Sequence, residues 1–398
     1  VRRNDPVEVA IVGAGVMGAS IAFHLAEQRV GPIHVFDRGH VGCGASGRSS
    51  ALVRMHYAFA PEVRLARLSL DYFEAWGELI GRPTSFRRTG YVRIVPAAQT
   101  ERLRANVAMQ QACGVDTRLV APDELRGIAP DWRLEDVALA AWEPRSGYGD
   151  GVSVATDFLD RARELGASYR PRCRVGALRI EGGRVRGVET DAGFVAAGTV
   201  VVAAGAWSRE LLAGAGIELP LESEHHHVLV LQRSGSRGAP HPACGDSSLR
   251  IYFRPEGRAQ TLVGGFGGPR SPDPLPAEPE APPEALVDRL QRAARRMPEL
   301  EDAGIVRSVS GYYTMTPDTR ALLGPVPGVQ GLFCCTGFSG MGFKLSPAVG
   351  RVVSEQILDG EAHSVDVSRF RVDRFARGEP IRPETEYDDD AAEPPAAP

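Results

Sequence analysis

Val7-Glu8-Val9-Ala10-Ile11-Val12-Gly13-Ala14-Gly15-Val16-Met17-Gly18 is the stretch whose reading decides the fold. Val7 to Val12 is a short apolar run that ends at a glycine, the pattern of a buried parallel strand. Val16 to Gln28 carries apolar residues at helical spacing, and Ile33-His34-Val35-Phe36 returns as a second strand ending at Asp37. The opening is therefore a βαβ unit with G-x-G-x-x-G at its first turn. Gly13 permits the tight turn, Gly15 lets backbone approach a pyrophosphate, and Gly18 allows the helix to pack closely on the strand. The N–H groups of Val16 and Met17 open the helix and face the phosphates. Asp37 lies where an acid accepts hydrogen bonds from an adenosine ribose, with Arg38 beside it.

Working outward, 398 residues predict two to three domains. Apolar residues at 43% and charged residues at 24% are those of a globular chain, and a net charge of −4 gives no basic surplus to hold nucleic acid. No apolar run is long enough for a membrane span, and Val1 to Pro6 leads into the strand rather than into a signal-peptide core. Six scattered cysteines give neither a disulfide framework nor a zinc site, and Cys334-Cys335 reads as packed core. A cytoplasmic location is expected. The stripe Leu65, Leu68, Tyr72, Trp76, Leu79 predicts one long helix. Val175 to Ile180 and Val185 to Thr190 read as a hairpin, and Thr199 to Ala204 as another buried strand.

The βαβ elements come in separated pieces. The expected architecture is α/β: a discontinuous Rossmann-like dinucleotide domain (1–81, 151–216, 314–375) with a second α+β domain on a mainly antiparallel sheet (82–150, 217–313). Residues 376–398, acidic and rich in Pro and Ala, read as a disordered tail.

Three further turns of small residues favour FAD over NAD. Gly44 to Ser50 is small and polar, and its Ser46, Ser49 and Ser50 suit a pyrophosphate and ribityl chain. Ala203-Ala204-Gly205-Ala206-Trp207 closes a strand against the same cofactor, with Ala204, Gly205 and Trp207 in contact. Gly337 to Lys344 adds Gly340, Met341, Gly342 and Phe343. Three backbone-exposing sites suit a long, extended cofactor, so FAD is favoured.

Lys344 is the single lysine of the chain; the other basic residues are arginines. A site that needs a compact ammonium on a flexible stem resists exchange to a planar fork. His225-His226-His227 resembles a metal cluster, but adjacent strand residues alternate faces and cannot converge on one ion, so no metal is expected.

Gly311 to Asp318, Gly337 to Lys344, Glu143-Pro144-Arg145-Ser146-Gly147 and the 203–208 turn resemble the FAD-dependent amine and amino-acid oxidoreductases typified by monomeric sarcosine oxidase and glycine oxidase. The resemblance covers residues 7–375. It implies C–N oxidation by hydride transfer to flavin N5, with Arg54 and Lys344 matching the pair that clamps a substrate carboxylate. Tyr252 and Tyr313 match pocket aromatics, Val175 matches the position whose backbone meets adenine, and His56 is the acid–base candidate. The family's tethering cysteine is Gly311 here, so that covalent flavin link is not expected. Leu262 stands where the oxygen-activating lysine falls, which puts rapid use of O2 by that route in doubt; the electron acceptor is O2 or unknown. The expected partner is a small-molecule amine or amino acid. A 2-hydroxy acid donor and a flavin subunit of a multi-subunit complex are the alternatives.

Overall fold

The computed structural model describes residues 7–233, 241–274 and 281–387. Its first sheet places Val7–Val12 at the centre, parallel to Ile33–Phe36 on one side and to the end of Gly193–Val202 on the other. Ser168–Arg170 extends it past Ile33–Phe36, and Leu332–Thr336 lies parallel beside Gly193–Val202. The register aligns the carboxyl ends: Val12 sits opposite both Val202 and Phe36, and Val202 opposite Cys334. In an open parallel sheet that end is where ligands bind. The helices Val16–Glu27, Gly151–Glu164 and Gly342–Asp359 cover one face and share a core that includes Ile11, Phe23, Phe158 and Val349. The expected hairpin is present: Val175–Glu181 and Arg184–Thr190 form a meander with the long Gly193–Val202 strand.

The second sheet is antiparallel except for one pair, Tyr91–Ile94 against Ala243–Asp246. That parallel pair welds the chain segment before residue 150 to the one after 217. Glu222–Gln232 runs along Gly304–Met315 for its whole length. A small third sheet, Leu52–Val53 with Gly147–Tyr148 and Arg87–Arg88, lies in the first connection and delivers Arg54.

Two expectations change. The predicted long helix is broken at Ala75 into Ala60–Glu74 and Trp76–Leu79. Within residues 376–387, expected in the disordered tail, 376–379 are exposed but the stretch 381–387 is anchored at both ends: Ile381 is 2% and Tyr387 9% exposed. Acidic, proline-rich composition pointed to a solvated chain, and it hid two apolar anchors and a carboxylate with a buried arginine partner. Residues 388–398 lie outside the described residues.

Cys334 and Cys335 are buried, and all six cysteines are free thiols. Among the described residues no group of side chains could hold a metal ion, and no helix is long and apolar enough to cross a membrane. His226 turns to one side of its strand, its ring 4.0 Å from that of Tyr313. His225 and His227 turn to the other.

Candidate active site

Two cavities meet at Tyr313, Ser339 and Gly340. The first, of about 1550 Å³ with its open mouth, runs along the carboxyl ends of the parallel strands. Glycines recur along its walls, at 13, 15, 44, 176, 205, 337, 340 and 342. Gly13 has φ +111°, and a Cβ there would lie 2.3 Å from the Ala203 carbonyl oxygen. At Gly18 a Cβ would lie 1.9 Å from the Gly13 oxygen, so this glycine faces no ligand and serves helix packing. Gly15 differs: its missing Cβ would meet only Ser46 Oγ, at 3.1 Å. The same hydroxyl accepts from Val16 N–H at the helix start. Asp37 Oδ2 accepts from Ala14 N–H at 2.8 Å and Oδ1 from Gly39 N–H at 2.7 Å, which fixes the carboxylate while leaving lone pairs for a ribose.

Arg38 stacks 3.5 Å over Trp207, and Val175 lies on the same wall. Met17, Ser49, Ala204, Gly205, Gly342 and Phe343 also line it. A bare glycine loop, a helix N-terminus and a fixed acid in one elongated groove fit an extended dinucleotide such as FAD. Gly311 is crowded by Arg48, whose Cδ would lie 2.8 Å from an added Cβ. Ser50, Met341 and Lys344, expected at the cofactor, line the second cavity instead, because the turn at 337–342 and the loop at 46–52 each cross between the two.

The second cavity, about 1170 Å³ with its mouth, is made of side chains. Lys344 projects from the first turn of Gly342–Asp359 and is 7% exposed. The helix is unusual in holding Pro347 in its interior, one turn further on. The Phe343 carbonyl, which Pro347 cannot serve, accepts from Ser346 Oγ at 2.8 Å, and Ala348 N–H turns aside to Ser69 Oγ. Arg54 donates to the His56 carbonyl and lies over Tyr57 and Tyr91, at 4.6 and 5.8 Å. Among the described residues neither Arg54 nor Lys344 has a carboxylate partner, whereas Arg320 nearby is paired with both Glu62 and Glu386.

Burial, reinforced by Arg54, pushes the Lys344 ammonium well below the usual lysine range. Burial and then Arg93 and Arg54 hold His56 well below the usual histidine range, so the imidazole is neutral. Tyr252 and Tyr313 approach each other, oxygen to oxygen, at 3.3 Å. The sequence-predicted Arg54, His56, Tyr252, Tyr313 and Lys344 therefore share one chamber. Sequence reasoning missed Arg93, Glu224, Glu386 and Tyr387, which line it too. Arg93 had a local signal, a charge inside the buried strand Tyr91–Ile94. Tyr387 had none.

This is the arrangement of a flavin-dependent oxidoreductase: a dinucleotide groove meeting a cation-bearing chamber. The family profile described as "DAO: FAD dependent oxidoreductase" matches residues 8–356, and the chain belongs to that family. It is 30% identical over 391 residues to 4-methylaminobutanoate oxidase (formaldehyde-forming) of Paenarthrobacter nicotinovorans, covering 92% of this chain but 46% of that protein. The chain thus spans about half the length of this relative. FAD-dependent oxidoreductase domain-containing protein 1 of Bos taurus is 27% identical, with 94% of this chain and 85% of the relative covered. The crystal structure of L-proline dehydrogenase from P. horikoshii superposes with a TM-score of 0.87 at 28% identity, covering 94% of this chain and 99% of that one.

Proposed function

We propose that the chain oxidises the C–N bond of a small carboxylate-bearing amine (an N-methyl, cyclic or primary amino acid) to an imine. The observation that carries this reading is the solitary lysine, buried with no carboxylate ion-pair partner among the described residues, in the second cavity that Arg54 also lines. Two buried cations with no directly paired carboxylate among the described residues are costly unless an anion joins them. A substrate carboxylate meets that need and orients the amine.

Gly13, Gly15 and the helix start at Val16 would hold the pyrophosphate of FAD, Asp37 its ribose and Val175 its adenine, with no thioether at Gly311. FAD, when bound, supplies the acceptor for the two electrons and the proton that leave the α carbon together. The nitrogen lone pair closes the C=N bond, so the amine must arrive as the free base. Burial and the neighbouring cations favour that form. Tyr252 and Tyr313 bound the chamber. The relatives' names point the same way, since 4-methylaminobutanoate and L-proline are both carboxylate-bearing amines.

A second reading, a 2-hydroxy acid donor, is favoured by one observation: His56 faces the chamber and is neutral, as a base for a hydroxyl proton must be. The test is anaerobic bleaching of the bound flavin by N-methyl, cyclic, D- and L-amino acids, carboxylate-free amines and hydroxy acids. Bleaching by a carboxylate-bearing amine is expected. Bleaching by carboxylate-free amines alone, or by none of the panel, overturns the proposal. Reoxidation in air against an artificial acceptor then separates oxidase from dehydrogenase.

A further inference from the structure

The segment 381–387 takes no part in the reaction as proposed, yet it is fastened along its length and reaches the substrate chamber at Glu386 and Tyr387. Ile381 N–H donates to Asp318 Oδ2 at 2.9 Å. Asn106 Nδ2 donates to the Thr385 carbonyl at 2.9 Å, and Arg102 to the Glu386 carbonyl at 2.8 Å. The Glu386 carboxylate pairs with the buried Arg320. The segment ends on Tyr387, whose ring lies nearly parallel to that of His56, with centroids 5.8 Å apart and planes at 16°. Its hydroxyl is 2.8 Å from His56 Nε2, and the Arg93 guanidinium sits 4.7 Å over its ring. His56 and Arg93 both line the chamber that holds Arg54 and Lys344.

We infer that Tyr387 is a positioning residue for substrate, holding Arg93 and His56 against the carboxylate-binding side of the chamber through its ring face and its hydroxyl. The inference rests on the proposed function, because it deepens the account of that same site. Arg93 gains a fixed place from the aromatic face, and His56 gains a fixed ring plane from the hydrogen bond. Neither residue touches the cofactor cavity, so loss of Tyr387 acts on substrate affinity before it acts on the flavin.

The test uses the flavin-loaded full chain with Tyr387→Ala and Tyr387→Phe. Three quantities are read: flavin content, the limiting rate of anaerobic reduction, and the Kd of an amine-free carboxylate from its perturbation of the flavin spectrum. Tyr387→Ala is expected to raise that Kd about tenfold while the limiting rate moves less than about threefold. Tyr387→Phe, which keeps the ring, is expected to recover most of the affinity. An unchanged Kd in both variants overturns the inference, and so does an equal loss of affinity for a carboxylate-free amine. Should Tyr387→Ala fail to fold, Tyr387→Leu, which keeps bulk but removes the aromatic face and the hydroxyl, takes its place, and an unchanged Kd there overturns the inference. If wild type is bleached by no carboxylate-bearing amine, the proposed function falls. The carboxylate Kd still reports on Tyr387 by itself.

Discussion

The two cavities touch at Tyr313 and Gly340 and are built from different materials. The cofactor groove depends on backbone at its phosphate end: glycines whose absent side chains leave room for phosphates, a helix N-terminus, and one acid locked by two peptide N–H groups. The substrate chamber is side chain. Its cations arrive from a strand end, a sheet and the first turn of a helix, and its outer wall comes from the last described residues of the chain. Backbone sites fail by steric exclusion, all at once; side-chain sites fail group by group, through charge. That difference orders the effects expected from substitution.

Gly18→Val strikes the backbone site hardest. Its side chain would grow from a point 1.9 Å from the Gly13 carbonyl oxygen, with no flexible neighbour to give way. We expect loss of bound flavin and a destabilisation of about 2–4 kcal/mol, read from the flavin-to-protein ratio and the thermal midpoint. A yellow, stable variant would mean that helix and strand do not pack as closely as the motif demands.

Lys344→Met comes next and tests the other material. Removing one partner of a buried charged contact costs roughly 2–5 kcal/mol, or about thirtyfold to several thousandfold in Kd for a carboxylate substrate. Flavin content should be unchanged, because Lys344 lines only the second chamber. Carboxylate-free amines should lose far less. Equal losses on both would remove the reason for assigning Arg54 and Lys344 to a carboxylate.

The same contrast governs what could be read in advance. The glycine loop, both flanking strands and Asp37 were legible because backbone geometry is written in consecutive residues: Gly13, Gly15 and Gly18 announce their roles by spacing alone. Lys344 was legible through its rarity, and Arg54 through resemblance. Arg93 showed itself only as a charge inside Tyr91–Ile94, and its place in the chamber depends on a parallel strand pair with Ala243–Asp246 that no local pattern predicts. Tyr387 meets His56 across 331 residues, and its surroundings in the sequence read as solvated tail. Ser50 and Met341, expected at the cofactor, line the chamber, because spacing gives the position of a turn and not the side to which its residues point.

A pH series separates the ammonium from the guanidinium within the chamber. Burial holds the Lys344 pKa well below the ordinary lysine value, with Arg54 adding to the shift. The lysine therefore loses its proton, and its hold on an anion, at a lower pH than a solvent-exposed lysine would. Bound carboxylate favours the charged form, so binding takes up a proton as pH rises through the Lys344 pKa of the free enzyme. We expect the Kd of an amine-free carboxylate to rise with pH through that range, by up to tenfold per unit, and the slope to vanish in Lys344→Met. A slope that survives the substitution would assign the proton to another group.

The smallest effect is expected at Gly15, and it sharpens the comparison because it lies in the same loop as Gly18. Gly15 has an ordinary backbone conformation, φ −75° and ψ −180°, which any residue adopts. The Cβ of Gly15→Ala would meet Ser46 Oγ at 3.1 Å, a hydroxyl on a side chain that can rotate. Alanine also restricts the unfolded chain, a gain of about 0.4–1 kcal/mol that offsets the crowding. The folded apoprotein should therefore keep its stability to within about 1 kcal/mol. FAD affinity should nevertheless fall, by about three- to tenfold, since the new methyl stands where the pyrophosphate approaches and displaces the hydroxyl that meets Val16 N–H. Apoprotein melting and flavin titration measure the two quantities separately. A large loss of stability with FAD affinity intact would make Gly15 a packing glycine like Gly18, and the groove less a backbone site than its geometry indicates.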